Sequence, residues 1–556
     1  GAGAGAGGAG AGGASCQPGV IECEGEVAYP CGAPPASGTD CAKDGKICVA
    51  GLGCAVCKPG ASTCSAQGAT YCRPDGSGLL EFDCAADLGL SCSGDTCVGA
   101  CTPPALEGSY LGCEYFPVTL LNNVNNTYDF EVAVANAADQ PAHIKVSGGA
   151  LGAPVERTVA PGGVERIVVP WVAEAKVCNE PVAGGDFDHV NACSPSHNPD
   201  YSSRIVAKGA YRVASDLPVA VYQFAPIQGT KGGFQAGTTE ASLLLPSTTF
   251  GDRYRAATYG YGFSRGVVAI VAAHDDTSVT VTPSAPVTAG AGKAALAAGQ
   301  SATYLLGRGD VLELISASAD PPNTGDLTGT LVEATRPVQV LGGHGCAWVI
   351  NPKSCDHLED TMLPEASLGS EHLVKASVYP GSSAYLTRIV AIEGDTTVSF
   401  DPPSAGPANL VLAKDQVFDL PATDAVHIST SKPVAVAGLN QGDNTLAAIV
   451  PIKRFRGDYV FLAPDFQHNY AKIFAPAGLA LTLDGQPIDP ASFTPIGQSG
   501  HGWAIVPVTP GAHQVKAPAP FGLMVYGAQE ANYIPGGLPS GYEYPGGLDV
   551  VSFGKP

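Results

Sequence analysis

The sequence predicts an all-β protein, with tandem β-sandwich-like modules following a small disulfide-rich N-terminal region. Three observations predict it. Short runs such as "DFEVAVA" (Asp129 to Ala135) and "TSVTVTP" (Thr277 to Pro283) alternate with period two, as half-buried strands do. One Pro-centred strand pattern recurs along the chain. Fourteen of the 18 cysteines fall between Cys16 and Cys113. Gly and Pro are abundant and only 14% of residues are charged, which suits short strands joined by many turns.

The first element, "GAGAGAGGAGAGGAS" (1–15), can bury nothing and reads as a flexible tether. Attachment through an N-terminal lipid anchor ahead of Gly1 is the expectation for such a tether. With no initiator Met and no signal peptide, the chain reads as the mature form of a secreted protein.

Two cysteine-rich modules follow, 16–56 and 57–114 with its junction. Cys16, Cys23, Cys31, Cys41, Cys48 and Cys54 are spaced 7, 8, 10, 7 and 6 apart. Cys57, Cys64, Cys72, Cys84, Cys92 and Cys97 are spaced 7, 8, 12, 8 and 5 apart, and both sets open on Cys-x-Pro-Gly. Neither module has the apolar residues for a core, so three disulfides each are expected to hold them. Six cysteines allow 15 pairings, and the spacing does not choose among them. Cys101 with Cys113 is expected to close the junction. Zinc is the rival reading, but there is a single CxxC (Cys54, Cys57) and no His before His143. Such cysteine density belongs to an oxidising, extracellular compartment.

Four β modules are expected next: 115–240, 241–358, 359–445, and 446–556 with a C-terminal tail. "VASDLPVAVYQF", "VEATRPVQVLGG" and "ISTSKPVAVAGL" are one element, with "KAPAPFGLMVYG" a weaker fourth copy. Because Pro cannot donate to a ladder, it should sit at an edge or a bulge. After each of the first three comes an apolar-Pro step: "LLLPSTTFGDRY", "TMLPEASLGSEH", "AIVPIKRFRGDY". Asp276-Thr277 and Asp395-Thr396 suit tight turns. The size of the units favours sandwiches, with a β-propeller-like closure of the repeats as the alternative.

These motifs, taken together with "CDHLEDTMLPEASLGSEHLV" and "RIVAIEGDTTVSF", resemble the N-terminal domain family of the IgG Fc-binding protein, over roughly 115–533. The cysteine-rich front is similar to repeats of myxobacterial surface proteins and lipoproteins. The resemblance implies a non-enzymatic extracellular adhesion or ligand-binding role, with a protein or glycan partner, and it carries no ligand by itself.

Chemistry gives little independent signal. With 29 basic against 51 acidic side chains the net charge is −22, which disfavours nucleic acid and anionic membranes. The nearest approach to a nucleophile elbow, "GQSGH" at Gly497 to His501, lacks the last Gly and a following helix. No enzyme and no resident cofactor is expected. Calcium is possible at Asp275 with Asp276, or Asp186 with Asp188, although Asp as a turn former is the simpler reading. The "DFDH" stretch lies between Cys178 and Cys193, a candidate disulfide.

The densest cluster is "HGCAWVINPKSCDHLED", 344–360. A Cys346–Cys355 disulfide would remove both sulfurs as ligands, leaving His344 and His357 among carboxylates. The stretch reads as a stapled linker between two modules, with Trp348 facing either the core or a partner. Two other functions stay open: a self-associating structural envelope or matrix component, and a carbohydrate-active enzyme on a β scaffold.

Overall fold

The computed structural model describes residues 19–550, apart from 66–67, 107, 123, 125–127, 178–198, 227–229, 232–233, 236–237, 320–323, 350–354, 378–384, 422–423, 441–443 and 530–539. The chain divides into a cysteine-rich unit and a larger unit running Leu106–Val551 with Asp87–Gly89. No helix among the described residues is long and apolar enough to cross a membrane.

In the cysteine-rich unit the duplication extends to the covalent frame. Cys23–Cys48 and Cys41–Cys54 join the second cysteine to the fifth and the fourth to the sixth. Cys64–Cys92 and Cys84–Cys97 repeat both links in the second module, where Cys57–Cys72 also joins first to third. Cys31, Cys101 and Cys113 are disulfide-bonded as well, and no described cysteine is free. Few apolar side chains are buried here (Ala55, Ala69 and Leu80 among them), so the cross-links supply what a core cannot.

The larger unit contains four curled antiparallel sheets of seven, eight, seven and eight strands. Each is organised by one long spine strand: Tyr211–Phe224, Leu331–Ala347, Val426–Asn440 and Gly511–Gln529. These carry the four Pro-centred repeats. A spine serves two half-sheets in turn. In the first module its start pairs with Ile144 to Gly148 and its end with Glu131 to Asn136. The crossing point is a bulge at the repeated proline. Gly112 opposes Val219 while Glu114 opposes Ala214, and the same shift recurs at Gly251 with Val338, Gly369 with Val434, and Arg456 with Phe521. Pro218, Pro337, Pro433 and Pro520 therefore fall where no ladder N–H is required. The Asp-Thr turns also repeat: Asp276 and Asp395 both take positive φ, and Thr277 and Thr396 each donate 2.7 Å to the carbonyl three residues back.

An inner strand ends each sheet and is counted with the module whose spine it pairs with: Ala241–Leu244, Asp356–Thr361, Thr445–Ala448 and Ser540–Pro545. Each packs against the inner strands of both neighbouring modules, the last against the first included. The modules thus close into a ring, so the sandwich-like units and the propeller-like closure coexist, with blades larger than the usual four strands. The seam is sealed by Tyr110 N–H donating to Leu548 O at 3.0 Å and Val550 N–H donating to Gly108 O at 2.8 Å. One hydrophobic core runs through all four modules, taking in Val267, Ala269 and Ile315 of module two, and a second, mainly under module two, reaches Leu439 and Leu446 of module three.

Candidate functional site

The axis of the ring is where ionisable residues concentrate. Asp356, His357, Glu359 and Asp360 form a buried inner strand, whereas the sequence pattern places this stretch in a linker. The reason is mutual edge capping. Where inner strands meet without a continuous ladder, backbone N–H groups need acceptors, and a carboxylate supplies them compactly. Thr239 N–H of module one donates to Asp356 at 2.9 Å, and Ala448 N–H of module three donates to Asp360 at 2.6 Å. Glu240 returns the favour across the axis, accepting from Leu446 N–H at 3.1 Å and Glu543 N–H at 3.4 Å. Glu359 accepts from Gln223 Nε2 at 3.1 Å and faces His357 Nε2 at 3.2 Å. Lys472 is ion-paired with Glu543 at 2.7 Å, both 1% exposed, and also donates to Ser377 Oγ and Lys375 O. Burial pushes the Glu240 and Asp360 carboxyls well above the usual range, against the backbone donors that favour their charge.

Cys346 and Cys355 are joined by a disulfide, which staples the end of the second spine to the inner strand that follows. His344, on that spine, accepts Cys346 N–H on Nδ1 at 3.0 Å, and its Nε2 is buried with no partner among the described residues. Burial, then the neighbouring His357 and Arg265, pull its pKa down to about 3. Trp348 is half-buried and packs edge-on against Tyr261 at 5.2 Å, within its own module. Asp275 stands exposed in its turn, accepting Arg308 N–H at 2.8 Å. Cys178, Cys193, Asp186 and Asp188 lie outside the described residues. Among those described, the one group of His, Cys and acidic side chains close enough to share a metal is Cys64, Cys84 and Cys97. All three sulfurs are already in disulfides and so are not thiolates.

Two arrangements look catalytic and are not built as relays. His427 Nε2 meets Glu371 at 2.5 Å and Ser429 Oγ at 3.4 Å, so acid and hydroxyl converge on one nitrogen. A nucleophilic relay needs them on opposite ring nitrogens. In "GQSGH", Ser499 Oγ donates to Ile496 O and His501 Nδ1 bonds back to Ser499 O at 3.0 Å.

A repeated clasp crosses three of the four bulges. Tyr115, Tyr254 and Tyr459 donate to the carbonyls of Val219, Val338 and Phe521 at 2.5, 2.7 and 2.5 Å, each just past the repeated proline. Module three places His372 at this position, fully buried, with neither ring nitrogen partnered among the described residues. The motifs "GDRY", "GSEH" and "RGDY" contained this pattern; what the sequence could not show is that the tyrosine reaches the next Pro-centred strand.

The feature that sequence reasoning missed is a groove of about 490 Å³ on module one, lined by Tyr128, Asp129, Phe130, Val168, Trp171 and Lys176 among others. Pro170 ends the strand Val164–Val169, and Trp171 turns back so that its indole N–H donates to Tyr128 O at 2.8 Å. A short 3-10 turn, Ala173–Ala175, then brings Lys176 beneath it. The lysine Nζ donates to Val124 O at 2.6 Å and lies 4.2 Å over the Trp171 ring. Burial holds its pKa down to about 7. The only available signal was a lone Lys in the apolar run "PWVAEAKV".

Curled β modules joined in a ring, in a chain that also carries two disulfide-rich modules, define a repeat β protein of an oxidising, extracellular-type environment. Residues 240–527 match the family described as IgGFc binding protein, more than half of the chain, and the chain belongs to that family. The match spans modules two to four, while module one shares their spine, bulge and tyrosine clasp outside it. No curated protein matches the chain.

Proposed function

We propose that this is a cell-surface-associated adhesion or ligand-binding protein, non-enzymatic, which meets an extracellular protein or glycan through the outer loops and grooves of the ring. The observation that carries this reading is where the chemistry-bearing residues are used. Asp356, Glu359, Asp360, Glu240 and Glu543 hold neighbouring modules together at the axis instead of facing a cleft. Membership of the family agrees with it. The disulfide modules then act as a stalk, with the Gly/Ala tether leading to a lipid-anchored attachment. Immobilised protein exposed to a panel of extracellular glycans and proteins should retain a ligand saturably. Turnover of a polysaccharide, lost on changing a single carboxylate, would overturn the proposal.

One observation favours the structural alternative. Leu305 and Val411 occupy matching places on outer edge strands of modules two and three and are 67% and 52% exposed. Exposed apolar edges are templates for pairing with another copy. Sedimentation mass rising with concentration, in the absence of any retained ligand, would favour self-association.

A further inference from the structure

We propose that the corner of module two formed by 261–265 against 345–348 is a docking surface for an acidic glycan, a run of neutral sugar rings carrying a single carboxylate. The inference rests on the ligand-binding reading above and names the site and the chemistry. Aromatic rings and one unspent cation come together in this corner. Phe263 is 51% exposed, and Tyr261 and Trp348 are half-buried with their rings edge-on at 5.2 Å. Such rings offer apolar surface against which the C–H face of a sugar packs. The Trp348 indole N–H and the Tyr261 hydroxyl make no hydrogen bond among the described residues, which leaves them for sugar hydroxyls.

The cation is Arg265. Arginines elsewhere in the unit are spent on carboxylates, as Arg212 on Glu114, Arg388 on Asp419 and Arg456 on Asp549. The Arg265 guanidinium has no ion pair and no hydrogen bond among the described residues, and it lies half-buried over the Tyr201 ring at 5.2 Å. A planar fork left unpaired in a chain of net charge −22 is placed for a carboxylate from outside. The same net charge repels a dense polyanion, so one acid among neutral sugars is the better match.

The frame beneath these side chains decides between a glycan and a peptide. Phe263 N–H and Ser264 N–H donate to Cys346 O at 2.9 and 3.3 Å, Trp348 N–H to Tyr261 O at 3.0 Å, and Gly345 N–H to Arg265 O at 2.9 Å. Val349 N–H donates to Asn444 Oδ1 at 2.9 Å, and the Cys346–Cys355 disulfide staples the segment. A peptide that adds as a strand needs such donors free. A glycan needs only the rings and the guanidinium, and on a frame already fixed little ordering remains to be lost on binding.

The test uses the full chain with disulfides intact, titrated calorimetrically with a xylo-oligosaccharide bearing one glucuronate, the same oligosaccharide without it, and an acidic peptide. The expected result is saturable binding of the glucuronate form, binding at least about tenfold weaker of the neutral form, and none of the peptide. Arg265→Gln should bring the acidic form down to the neutral level, and Phe263→Ala should weaken both forms by about threefold or more. If either variant fails to fold, the comparison of the three probes on the unchanged chain still decides. No saturable binding of the glucuronate form, equal binding of the neutral form, an affinity unchanged in either folded variant, or binding of the peptide instead would overturn the proposal. Another extracellular ligand still retained by the folded double variant would remove this corner while leaving the adhesion reading in place.

Discussion

Replacing His372 by tyrosine should make the protein more stable, although the position is completely buried. In the three other modules a tyrosine here donates across the bulge at 2.5 to 2.7 Å, while His372 leaves both ring nitrogens without partners among the described residues. Restoring the clasp adds about 1 kcal/mol, and removing a buried unsatisfied polar group returns about 1–3 kcal/mol. Against this stands overpacking, about 1–3 kcal/mol where a larger ring must be fitted. The equivalent sites already hold tyrosine behind the same bulge, so the lower end of that cost applies. The net expectation is a gain of roughly 1–2 kcal/mol, read as a higher urea midpoint at pH 7 with an unchanged slope.

The same variant should flatten the acid limb of stability. Burial, then the neighbouring His427 and Lys453, pull the His372 pKa down to about 3. The unfolded chain takes up this proton near pH 6.5, and the folded chain refuses it until about pH 3. Its contribution is therefore complete above pH 6.5 and is lost as pH falls toward 3, at up to about 1.4 kcal/mol per pH unit. Tyrosine does not titrate there, so His372→Tyr should lose one proton's worth of slope. His344, with the same depressed pKa, remains in both proteins and keeps the slope from vanishing. Lower stability at pH 7, or an unaltered acid limb, would refute the reasoning.

Three further perturbations probe the ring and its staple. Arg388 is 2% exposed and grips Asp419 at 2.8 Å and Asp326 of module two at 2.6 Å, so Arg388→Ala should cost about 3 kcal/mol. Asp419 is 35% exposed and contributes the smaller share; a double-mutant cycle with Asp326→Ala should return a coupling energy clearly above zero. Asp360→Ala strands the N–H groups of Ala448 and Thr361 and should cost about 2–4 kcal/mol in denaturant titrations. Replacing Cys346 and Cys355 by serine opens a nine-residue separation and should cost about 2.5 kcal/mol in chain entropy, measured the same way.

Different parts of this fold were legible to different degrees, for physical reasons. The cysteine register announced a duplication because covalent spacing is a local property, and two disulfide links recur in both modules. The spines were visible because one proline must avoid ladder positions in every copy. Ring closure was not visible, since it depends on groups such as Glu240, just ahead of the first inner strand, and Glu543, on the last, 303 residues apart. The groove escaped because its two defining residues, Trp171 and Lys176, look unremarkable singly and acquire meaning only when a turn stacks one over the other.

The segment 344–360 shows why local density of chemistry is a poor guide to function. Two His, two Cys and three acids in a short stretch suggest ligands, because in isolation such groups would be solvated and free to coordinate. In the ring most are committed: the sulfurs to each other, Asp356 to module one, Asp360 to module three, Glu359 to Gln223 and His357. A carboxylate that caps a neighbour's strand edge has a structural task there, and removing it strands the N–H groups it holds. The physical demand for acceptors at a closed β axis therefore explains the cluster, and it directs the search for ligands outward, to side chains whose removal would leave the ring intact.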